Sequence, residues 1–287
     1  MSHSTPHQAS HGTHGPAHAA GDQADFLDLE AAVLAEDTAA VTAWLPVGAG
    51  PRHIVDLGCG TGAGTLALLG RFPDAEVTAV DSSTAHLHRL REKAAAAGAA
   101  DRVRLVHADL DATPWPRLGT PELVWASATL HHLADPGGAL RTVYELLAPG
   151  GLFAVLEPAG SPRFLPADAP ETAPGLEERC HATVAHHHAA HMPHRGADWG
   201  AALTGAGFTI EAERTRTVGV GPDRSDAVGP YALISLRRMR GSAAAALTAE
   251  DLTALDQLLD TGGQRSILRH PGLSVRTERT VWAARRP

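Results

Sequence analysis

The stretch HIVDLGCGTGAG, residues 53–64, decides the fold of this protein. A short apolar run carries one acidic residue and then gives way to four glycines. This pattern is typical of a buried strand that ends in a tight turn before a helix, which is how a strand enters a nucleotide site. The motif G-x-G-x-x-G/A is matched through Gly58, Gly60 and Ala63, so a dinucleotide-binding fold is one interpretation.

Strand-like and helix-like segments alternate after this stretch. The predicted strands are residues 53–57, 76–81, 103–109, 123–128 and 150–157, and the predicted helices are residues 63–72, 85–98 and 136–147. Such alternation predicts a parallel sheet with helices on both faces. Ligands of such sheets bind beyond the carboxyl ends of the strands, where the strand order reverses.

Two carboxylates indicate the charge of the ligand. Asp81 ends the second strand, where it suits ribose hydroxyls in more than one class of nucleotide site. Asp56 stands two residues before the first glycine, where its negative charge would repel a pyrophosphate and attract a cation. The formal net charge of −8 also argues against a general nucleic-acid surface. The sequence therefore favours a cationic ligand without phosphate.

Residues 52–157 resemble the class I S-adenosylmethionine-dependent methyltransferases, and in particular their small-molecule branch of ubiquinone/menaquinone-type and trans-aconitate-type enzymes. The resemblance lies in four segments with the order and spacing of that family: VDLGCGTG, VDSS, HADLD and LVWASATLHHLADPGGALRTVYELLAPGGLFAVLE. It implies a Rossmann-like α/β fold, a seven-stranded mostly parallel sheet with helices on both faces and a helical cap formed by insertions. It also implies methyl transfer from S-adenosylmethionine to a small-molecule acceptor by O-, N- or C-attack, with S-adenosylhomocysteine as product.

The resemblance further implies which residues bind the cofactor. Asp56 is expected near the methionine ammonium, Asp81 on the ribose diol, and Asp109 with Leu110 at the adenine edge. The whole implied set is Asp56, Gly58, Cys59, Gly60, Thr61, Gly62, Asp81, Ser82, Asp109, Leu110 and Ser127. A ligand with an ammonium and a sulfonium suits a site that is rich in carboxylates.

Several of these residues also have an ordinary structural interpretation. The glycines of loop 58–62 can serve a tight turn alone, although their alternation favours close approach of a ligand. Asp81 can cap the next helix, but Ser82–Thr84 can do so instead and leave it free. Asp109 can be a surface turn residue. Cys59 has no adjacent cation in sequence, so it is interpreted as a small packed residue that lines the site.

Two histidines follow the fourth strand and are the candidate catalytic residues. A base is required when the acceptor is a hydroxyl or a protonated amine, because the attacking lone pair must be free. His131 and His132 lie at the carboxyl end of that strand, where the ligand is expected. Doublets of this kind also occur in the resembling family with a structural role, so both roles remain open.

The rest of the chain is predicted to form a tail and a cap. The predicted parts are residues 1–22, a disordered His-rich tail; 23–157, the cofactor-binding core with an N-terminal helix over 25–44; 158–196, a cap insertion; 197–218, a core helix and the sixth strand; 219–271, a second helical cap insertion; and 272–287, the seventh strand. In the second insertion, residues 230–241 and 248–260 have helical spacing, and Thr248 is the expected N-cap.

The first insertion is rich in histidines and arginines. Its histidines are His181, His186, His187, His188, His191 and His194. No metal site is predicted from them or from the tail, because His spacing alone is a weak signal and no glutamate lies between His187 and His191 as in H-E-x-x-H. Arg163, Arg179, Arg195 or one of these histidines is instead expected to meet an anionic group of the acceptor.

Composition limits the remaining possibilities. No apolar run approaches the length of a membrane span, about 20 residues, and no signal-peptide core is present, so a cytoplasmic protein with reduced Cys59 and Cys180 is expected. The sequence leaves a homodimer open. Two alternative functions also remain: an S-adenosylmethionine-binding protein without catalysis, and a nicotinamide-dependent oxidoreductase, which Asp56 disfavours.

Overall fold

A computed structural model describes residues 16–48 and 50–287 of the chain. Its seven-stranded sheet has the order β3-β2-β1-β4-β5-β7-β6. The strands are β1 His53–Leu57, β2 Glu76–Asp81, β3 Val103–His107, β4 Leu123–Ser127, β5 Leu152–Pro158, β6 Thr209–Val220 and β7 Val275–Arg285. The first five are parallel, whereas β7 is antiparallel to β5 and β6. The predicted seven-stranded, mostly parallel sheet is confirmed.

Helices connect the strands and build the cap. They are α1 Pro16–Val33, α2 Ala35–Trp44, α3 Ala63–Arg71, α4 Thr84–Ala96, α5 Pro136–Leu146, α6 Leu176–His191, α7 Trp199–Gly205, α8 Val228–Ala243 and α9 Ala249–Leu259. A 3-10 turn, Leu130–His132, follows β4. Within the described residues, no helix is both long and apolar enough to cross a membrane.

The sheet is buried on both faces. Neighbouring residues of β1 point to opposite sides, so Ile54 packs in one apolar cluster and Val55 in another. The first cluster contains residues of α2 and α3, and the second contains residues of α5 and α7. This double burial explains why the strands are almost continuously apolar in sequence.

The strand order reverses between β1 and β4. From β1 the chain runs outward to β2 and β3, and then crosses back to β4 on the other side of β1. The connections on either side diverge at this point and leave a crevice at the carboxyl ends of the strands. The loops after β1, β2 and β4 therefore meet at one edge of the sheet.

The two insertions form a single helical cap, as predicted. Buried residues of α6, α8 and α9 share one apolar cluster, to which Leu176, Tyr231 and Leu255 contribute. The N-terminal helix α1 joins this cluster as well, and the rings of Phe26 and Tyr231 lie 5.3 Å apart between centroids. The cap is therefore built from three separate parts of the chain.

The predicted N-terminal elements need correction. The single helix expected over 25–44 is two helices that separate at Leu34, because α1 packs against the cap whereas α2 packs against the sheet. The tail was expected to extend to residue 22, but α1 already begins at Pro16, a residue type favoured in the first turn of a helix. Residues 1–15 of the predicted tail lie outside the described residues.

Candidate active site

The glycine loop after β1 has a backbone that favours glycine. Gly58, Gly60 and Gly62 have φ of +64°, +52° and +92°. A Cβ on Gly58 would lie 2.5 Å from the side chain of Thr129, and a Cβ on Gly62 would collide with Leu90. The backbone conformation and internal packing therefore already require glycine at these two positions, and close approach of a ligand stays a prediction.

Asp81 holds this loop from the end of β2. Its Oδ2 accepts the N–H of Gly60 at 2.8 Å, and its Oδ1 accepts the N–H of Ser83 at 2.8 Å. The ring of His86 adds a third contact, with Nδ1 3.2 Å from Oδ1. Burial opposes ionisation, but the hydrogen bonds from His86, Ser83 and Gly60 outweigh it and hold the pKa of Asp81 below its usual range.

Ser83 caps α4, while Asp81 is bound to the loop. The hydroxyl of Ser83 accepts the N–H of His86 at 3.3 Å, so the cap role falls to one of the three residues considered from sequence. The expectation that Asp81 would then be left free is wrong, because the carboxylate already accepts the N–H groups of Gly60 and Ser83. A carboxylate offers about four acceptor positions, so one stays available to a ligand.

Asp56 is buried beneath the same loop. Its Oδ2 accepts the hydroxyl of Thr65 at 2.6 Å, in the first turn of α3. Burial raises the pKa of Asp56 to about 7, although the hydrogen bond from Thr65 acts in the opposite direction. Asp56 therefore changes charge near neutral pH. Its approach to an ammonium group stays a prediction.

Cys59 and Thr61 are buried within the loop. Burial, and then the carboxylates of Asp56 and Asp81, raise the pKa of the Cys59 thiol well above its ordinary value, which agrees with a packed residue and not with a nucleophile. The carbonyl and hydroxyl oxygens of Thr61 both accept hydrogen bonds from Lys93, at 3.2 and 3.3 Å.

The remaining predicted cofactor residues follow β2 and β3. Ser82 contributes its carbonyl oxygen to a contact of 2.9 Å with Nε2 of His107. Asp109 is exposed, and its carboxylate accepts the N–H two residues further along, as in an ordinary turn. Leu110 is half-buried, and its carbonyl accepts the indole N–H of Trp115 at 3.0 Å. Both interpretations of Asp109 remain compatible with this geometry.

Ser127 belongs to a charged network that was not predicted from the sequence. Arg279 of β7 donates to the hydroxyl of Ser127 at 3.3 Å and to Asp37 of α2 at 3.2 Å. Arg216 of β6 donates to the other oxygen of Asp37 at 2.5 Å. Asp37 and Arg279 are both buried and 242 positions apart in the chain, so no local pattern indicates their contact.

His131 and His132 have different environments. Nδ1 of His131 lies 2.5 Å from Oε2 of Glu157, and both side chains are buried. The other oxygen of Glu157 accepts the N–H groups of Thr129 and Leu130, at 3.0 and 2.8 Å. His132 is exposed, yet partial desolvation lowers its pKa, and His131 acts in the same direction. Glu157 was not among the residues predicted from the sequence, and its position at the end of β5 is the one signal that indicates it.

A groove of about 840 Å³ lies between the residues that follow β5, helix α6 and the start of β7. It is lined by Ala159, Gly160, Ser161, Arg163, Glu178, His181, Ala182, Ala185, Met192, Pro193, Arg195, Thr217, Arg276, Thr277 and Glu278. Arg195 also acts electrostatically on His132 and Glu157, which places this end of the groove near the end of β5. A second groove, of about 490 Å³, lies by His53 and Arg104 toward the opposite edge, away from the predicted site.

The predicted cationic residues of the first insertion separate in the structure. Arg163, Arg195 and His181 line the groove, whereas Arg179 forms an ion pair with Asp251 elsewhere in the cap. The side chains of His186, His187, His188 and His191 lie outside the described residues. Among the side chains that are described, no group of three or more His, Cys, Asp or Glu is arranged to hold a metal ion.

Comparison with known proteins agrees with this geometry. Residues 55–153 match the family model described as a methyltransferase domain. Trans-aconitate 2-methyltransferase of Methylobacterium radiotolerans is 41% identical over 108 residues, which are 38% of this chain and 38% of that enzyme. Residues 55–153 are therefore similar to a methyltransferase domain. The matched residues span well under half the length of this curated relative.

Further relatives extend the comparison. The 27-O-demethylrifamycin SV methyltransferase of Amycolatopsis mediterranei is 34% identical over 152 residues, which are 50% of this chain and 54% of that enzyme. A candidate methyltransferase from Bacillus halodurans has the same fold, with a TM-score of 0.55, 19% identity and coverage of 88% of this chain and 99% of that one. The cyclase SpnF also shares it, with a TM-score of 0.51, 18% identity and coverage of 88% and 81%.

The similarity to methyltransferases implies S-adenosylmethionine as the methyl donor, and the residues at the carboxyl edge of the sheet fit it. The carboxyl edge carries Asp56, Asp81 and Asp109, and Lys93, which donates to Thr61 of the glycine loop, is already paired with Asp28. A cationic sulfonium is compatible with that charge, whereas a pyrophosphate is not. Asp81 keeps an acceptor position for a hydroxyl group.

Proposed function

We propose that this protein is an S-adenosylmethionine-dependent methyltransferase that acts on a small-molecule acceptor. The observation that carries the proposal is the glycine loop at the carboxyl edge of the sheet, which Asp81 at the end of β2 holds through the N–H of Gly60 at 2.8 Å. The family model ends at residue 153, before the cap begins, so the match to the domain does not identify the acceptor.

The chain's own residues have distinct roles in this proposal. Asp81 binds the ribose diol, the backbone of loop 58–62 surrounds the methionine part, and Asp109 with Leu110 contacts the adenine edge. When bound, S-adenosylmethionine supplies an activated methyl group and leaves as S-adenosylhomocysteine. The protein then has to orient the acceptor and exclude water, which can account for much of the rate of such a displacement.

His132 is the base in this proposal when the acceptor must lose a proton. Its lowered pKa keeps the ring neutral at physiological pH, which is the form that accepts a proton. Its ring centroid lies 4.1 Å from that of His131. His131 is fixed by Glu157 and is assigned a positioning role, because its Nδ1 is already engaged with that buried carboxylate.

The proposal is tested by methyl transfer from methyl-labelled S-adenosylmethionine to a fractionated extract of the source organism. Label in a small-molecule fraction is the expected result. Label in protein or nucleic acid would overturn the substrate class. No transfer to any fraction, with cofactor binding intact, would favour a binding protein without methyl transfer, since a fold shared with a cyclase does not by itself determine the reaction.

The curated relatives suggest the first pure compounds for this assay. Trans-aconitate and 27-O-demethylrifamycin SV represent a small and a much larger acceptor, respectively. Turnover of either compound would support the proposed reaction. Comparison of their kcat/KM values then measures how the cap selects for size, because the cap lies outside the residues matched by the family model.

A further inference from the structure

On the basis of the proposed function, we propose that Arg279 and Ser127 form a carboxylate-binding site for the methionine part of S-adenosylmethionine. The residues assigned to the cofactor so far are acidic or uncharged, so they suit its ammonium, its sulfonium and its hydroxyl groups but offer no cation to its carboxylate. Arg279 belongs to β7, outside the residues 55–153 that match the family model, so the similarity to methyltransferases does not assign it.

The sheet places Arg279 and Ser127 beside the glycine loop. Ser127 is the last residue of β4, and the residue before it, Ala126, pairs with Leu57 immediately before that loop. Arg279 pairs with Pro158 at the end of β5, the strand between β4 and β7. From there its guanidinium donates to the hydroxyl of Ser127, with 3.3 Å between Nη2 and Oγ. Both residues therefore lie at the carboxyl edge, next to the loop proposed to surround the methionine part.

Arg279 belongs to a network that holds more positive than negative charge. Asp37 of α2 accepts hydrogen bonds from two guanidinium groups, those of Arg216 and Arg279. Arg216 makes the shorter contact, 2.5 Å from Nε to Oδ1, whereas Nη1 of Arg279 lies 3.2 Å from Oδ2. Among the described residues, no other carboxylate lies within 4.0 Å of either guanidinium. Two arginines share one aspartate, so one bound carboxylate would balance the charge of the network.

Burial increases the effect of this unbalanced charge. Arg279 is only 7% exposed, and Asp37 is only 6% exposed. A charge that is removed from water costs free energy unless it is paired and hydrogen-bonded, so a ligand carboxylate would be stabilised more strongly here than by an arginine on the surface. Ser127 is half-buried, whereas the two residues before it in β4 are fully buried. The network is therefore open toward the crevice at the end of β4.

Arg279 and Ser127 both keep hydrogen-bond donors for a ligand. A guanidinium has five N–H groups, and Arg279 uses one for Asp37 and one for Ser127. The hydroxyl of Ser127 accepts the bond from Arg279 and donates to no other group within the described part of the chain. A carboxylate accepts at both of its oxygens, so it can take one bond from the guanidinium and one from the hydroxyl.

The backbone that follows Ser127 is strained and firmly held. Ala128 has φ of +50°, a conformation that residues with a side chain rarely adopt. The carbonyl of Leu156 accepts the N–H of Ala128 at 2.8 Å, and Glu157 accepts the N–H of Thr129 at 3.0 Å. Backbone strain of this kind is concentrated at ligand sites, where the surrounding structure maintains it. Because the end of β4 is already fixed, little conformational entropy is lost when Ser127 binds a ligand.

The first experiment compares two ligands that differ only at the carboxylate. S-adenosylhomocysteine and its carboxamide are titrated calorimetrically into the wild-type protein, Arg279→Gln and the control Arg240→Gln, which removes a surface ion pair with Asp256 on the cap. The wild-type protein and the control should bind the carboxamide about 10- to 100-fold more weakly, because the carboxylate makes charge-assisted hydrogen bonds. In Arg279→Gln the Kd for S-adenosylhomocysteine should rise by a similar factor, and the two Kd values should lie within about threefold of each other.

The ratio of the two Kd values separates carboxylate binding from a purely structural role of Arg279. A structural role would weaken both ligands equally and retain the ratio in Arg279→Gln, which would overturn the inference. Equal binding of the two ligands by the wild-type protein would also overturn it. In either case, binding of S-adenosylhomocysteine to the wild-type protein would leave the proposed function standing. No binding of S-adenosylhomocysteine or S-adenosylmethionine to the wild-type protein would overturn both.

Ser127→Ala provides a second test that does not depend on the folding of Arg279→Gln. Arg279→Gln still leaves Asp37 paired with Arg216, so no buried carboxylate is left without a cation. Ser127→Ala removes one hydroxyl group from a half-buried position. It should lower the ratio of the two Kd values about threefold or more, because the hydroxyl bonds a charged carboxylate more strongly than a neutral amide. An unchanged ratio in this variant would overturn the inference.

Discussion

Nδ1 of His131 and Oε2 of Glu157 lie 2.5 Å apart in the interior, where the same carboxylate also accepts two backbone N–H groups. Glu157 thus joins the end of β5 to the turn after β4. The turn presents His132 to the surface, so the geometry of the candidate base depends on a carboxylate 25 residues further along the chain.

Glu157→Gln should destabilise the protein. The amide can accept at only one of its two terminal atoms, so either the backbone N–H groups of Thr129 and Leu130 or the ring of His131 loses its acceptor. We expect the free energy of unfolding in urea to fall by about 2 kcal/mol or more. A change below about 0.5 kcal/mol, which is typical of surface substitutions, would contradict the assigned role.

His132→Gln should reduce kcat and leave cofactor binding unchanged. Loss of a general base typically costs 10²- to 10⁴-fold in rate. With a hydroxyl acceptor, the wild-type rate should fall as the pH drops through the lowered pKa of His132, and this limb should disappear in the variant. Retention of the acidic limb by the variant would assign the titration to another group.

Asp56 should make stability depend on pH. The folded-state pKa of Asp56, about 7, lies above its ordinary value. The protonated carboxyl therefore contributes to the free energy of unfolding at low pH, and this contribution is lost as the pH rises through 7. The wild-type protein should therefore lose on the order of 2 kcal/mol more stability between pH 5 and 8 than Asp56→Asn. Parallel curves of unfolding free energy against pH would show that Asp56 is already ionised in the fold.

Gly62→Ala and Gly98→Ala form a matched pair of substitutions. Both glycines have positive φ, +92° and +65°, so each alanine carries backbone strain of about 1 kcal/mol. A Cβ at Gly98 meets open space, whereas one at Gly62 collides with Leu90. Gly62→Ala should therefore be more destabilising by about 1–3 kcal/mol, and Leu90→Ala should recover part of this difference. Equal unfolding free energies for the two variants would contradict the packing explanation of loop 58–62.

The sequence predicts the sheet well because each signal is local. The apolar run before Gly58 ends β1 at Leu57 as expected, and Gly98 follows α4 with a positive φ. The break at Leu34 was not predictable from helical spacing, because it depends on α1 and α2 packing against different layers.

The site was predicted only in part, because its remaining contacts are long-range. The motif indicated Asp81 and the glycine loop, but not that Asp81 accepts the N–H of Gly60 or that Gly58 makes room for Thr129. Glu157 ends a segment of the resemblance that assigned it no role, Arg279 lies in no such segment, and only the folded sheet brings the two to the carboxyl edge. The position of a charged residue at the end of a strand does not by itself indicate which residue it will pair with.

The most direct test of the account is a calorimetric titration of S-adenosylmethionine into the wild-type protein, Asp81→Asn and the exposed control Asp74→Asn. The account predicts one binding site in the wild-type protein and in the control. In Asp81→Asn the Kd for S-adenosylmethionine should rise about 100-fold, because a hydrogen bond to a charged group contributes about 1.5–3 kcal/mol. The substitution also weakens the hydrogen bond that anchors the loop at Gly60. Undiminished binding by Asp81→Asn, or binding of a nicotinamide dinucleotide in place of S-adenosylmethionine, would contradict it.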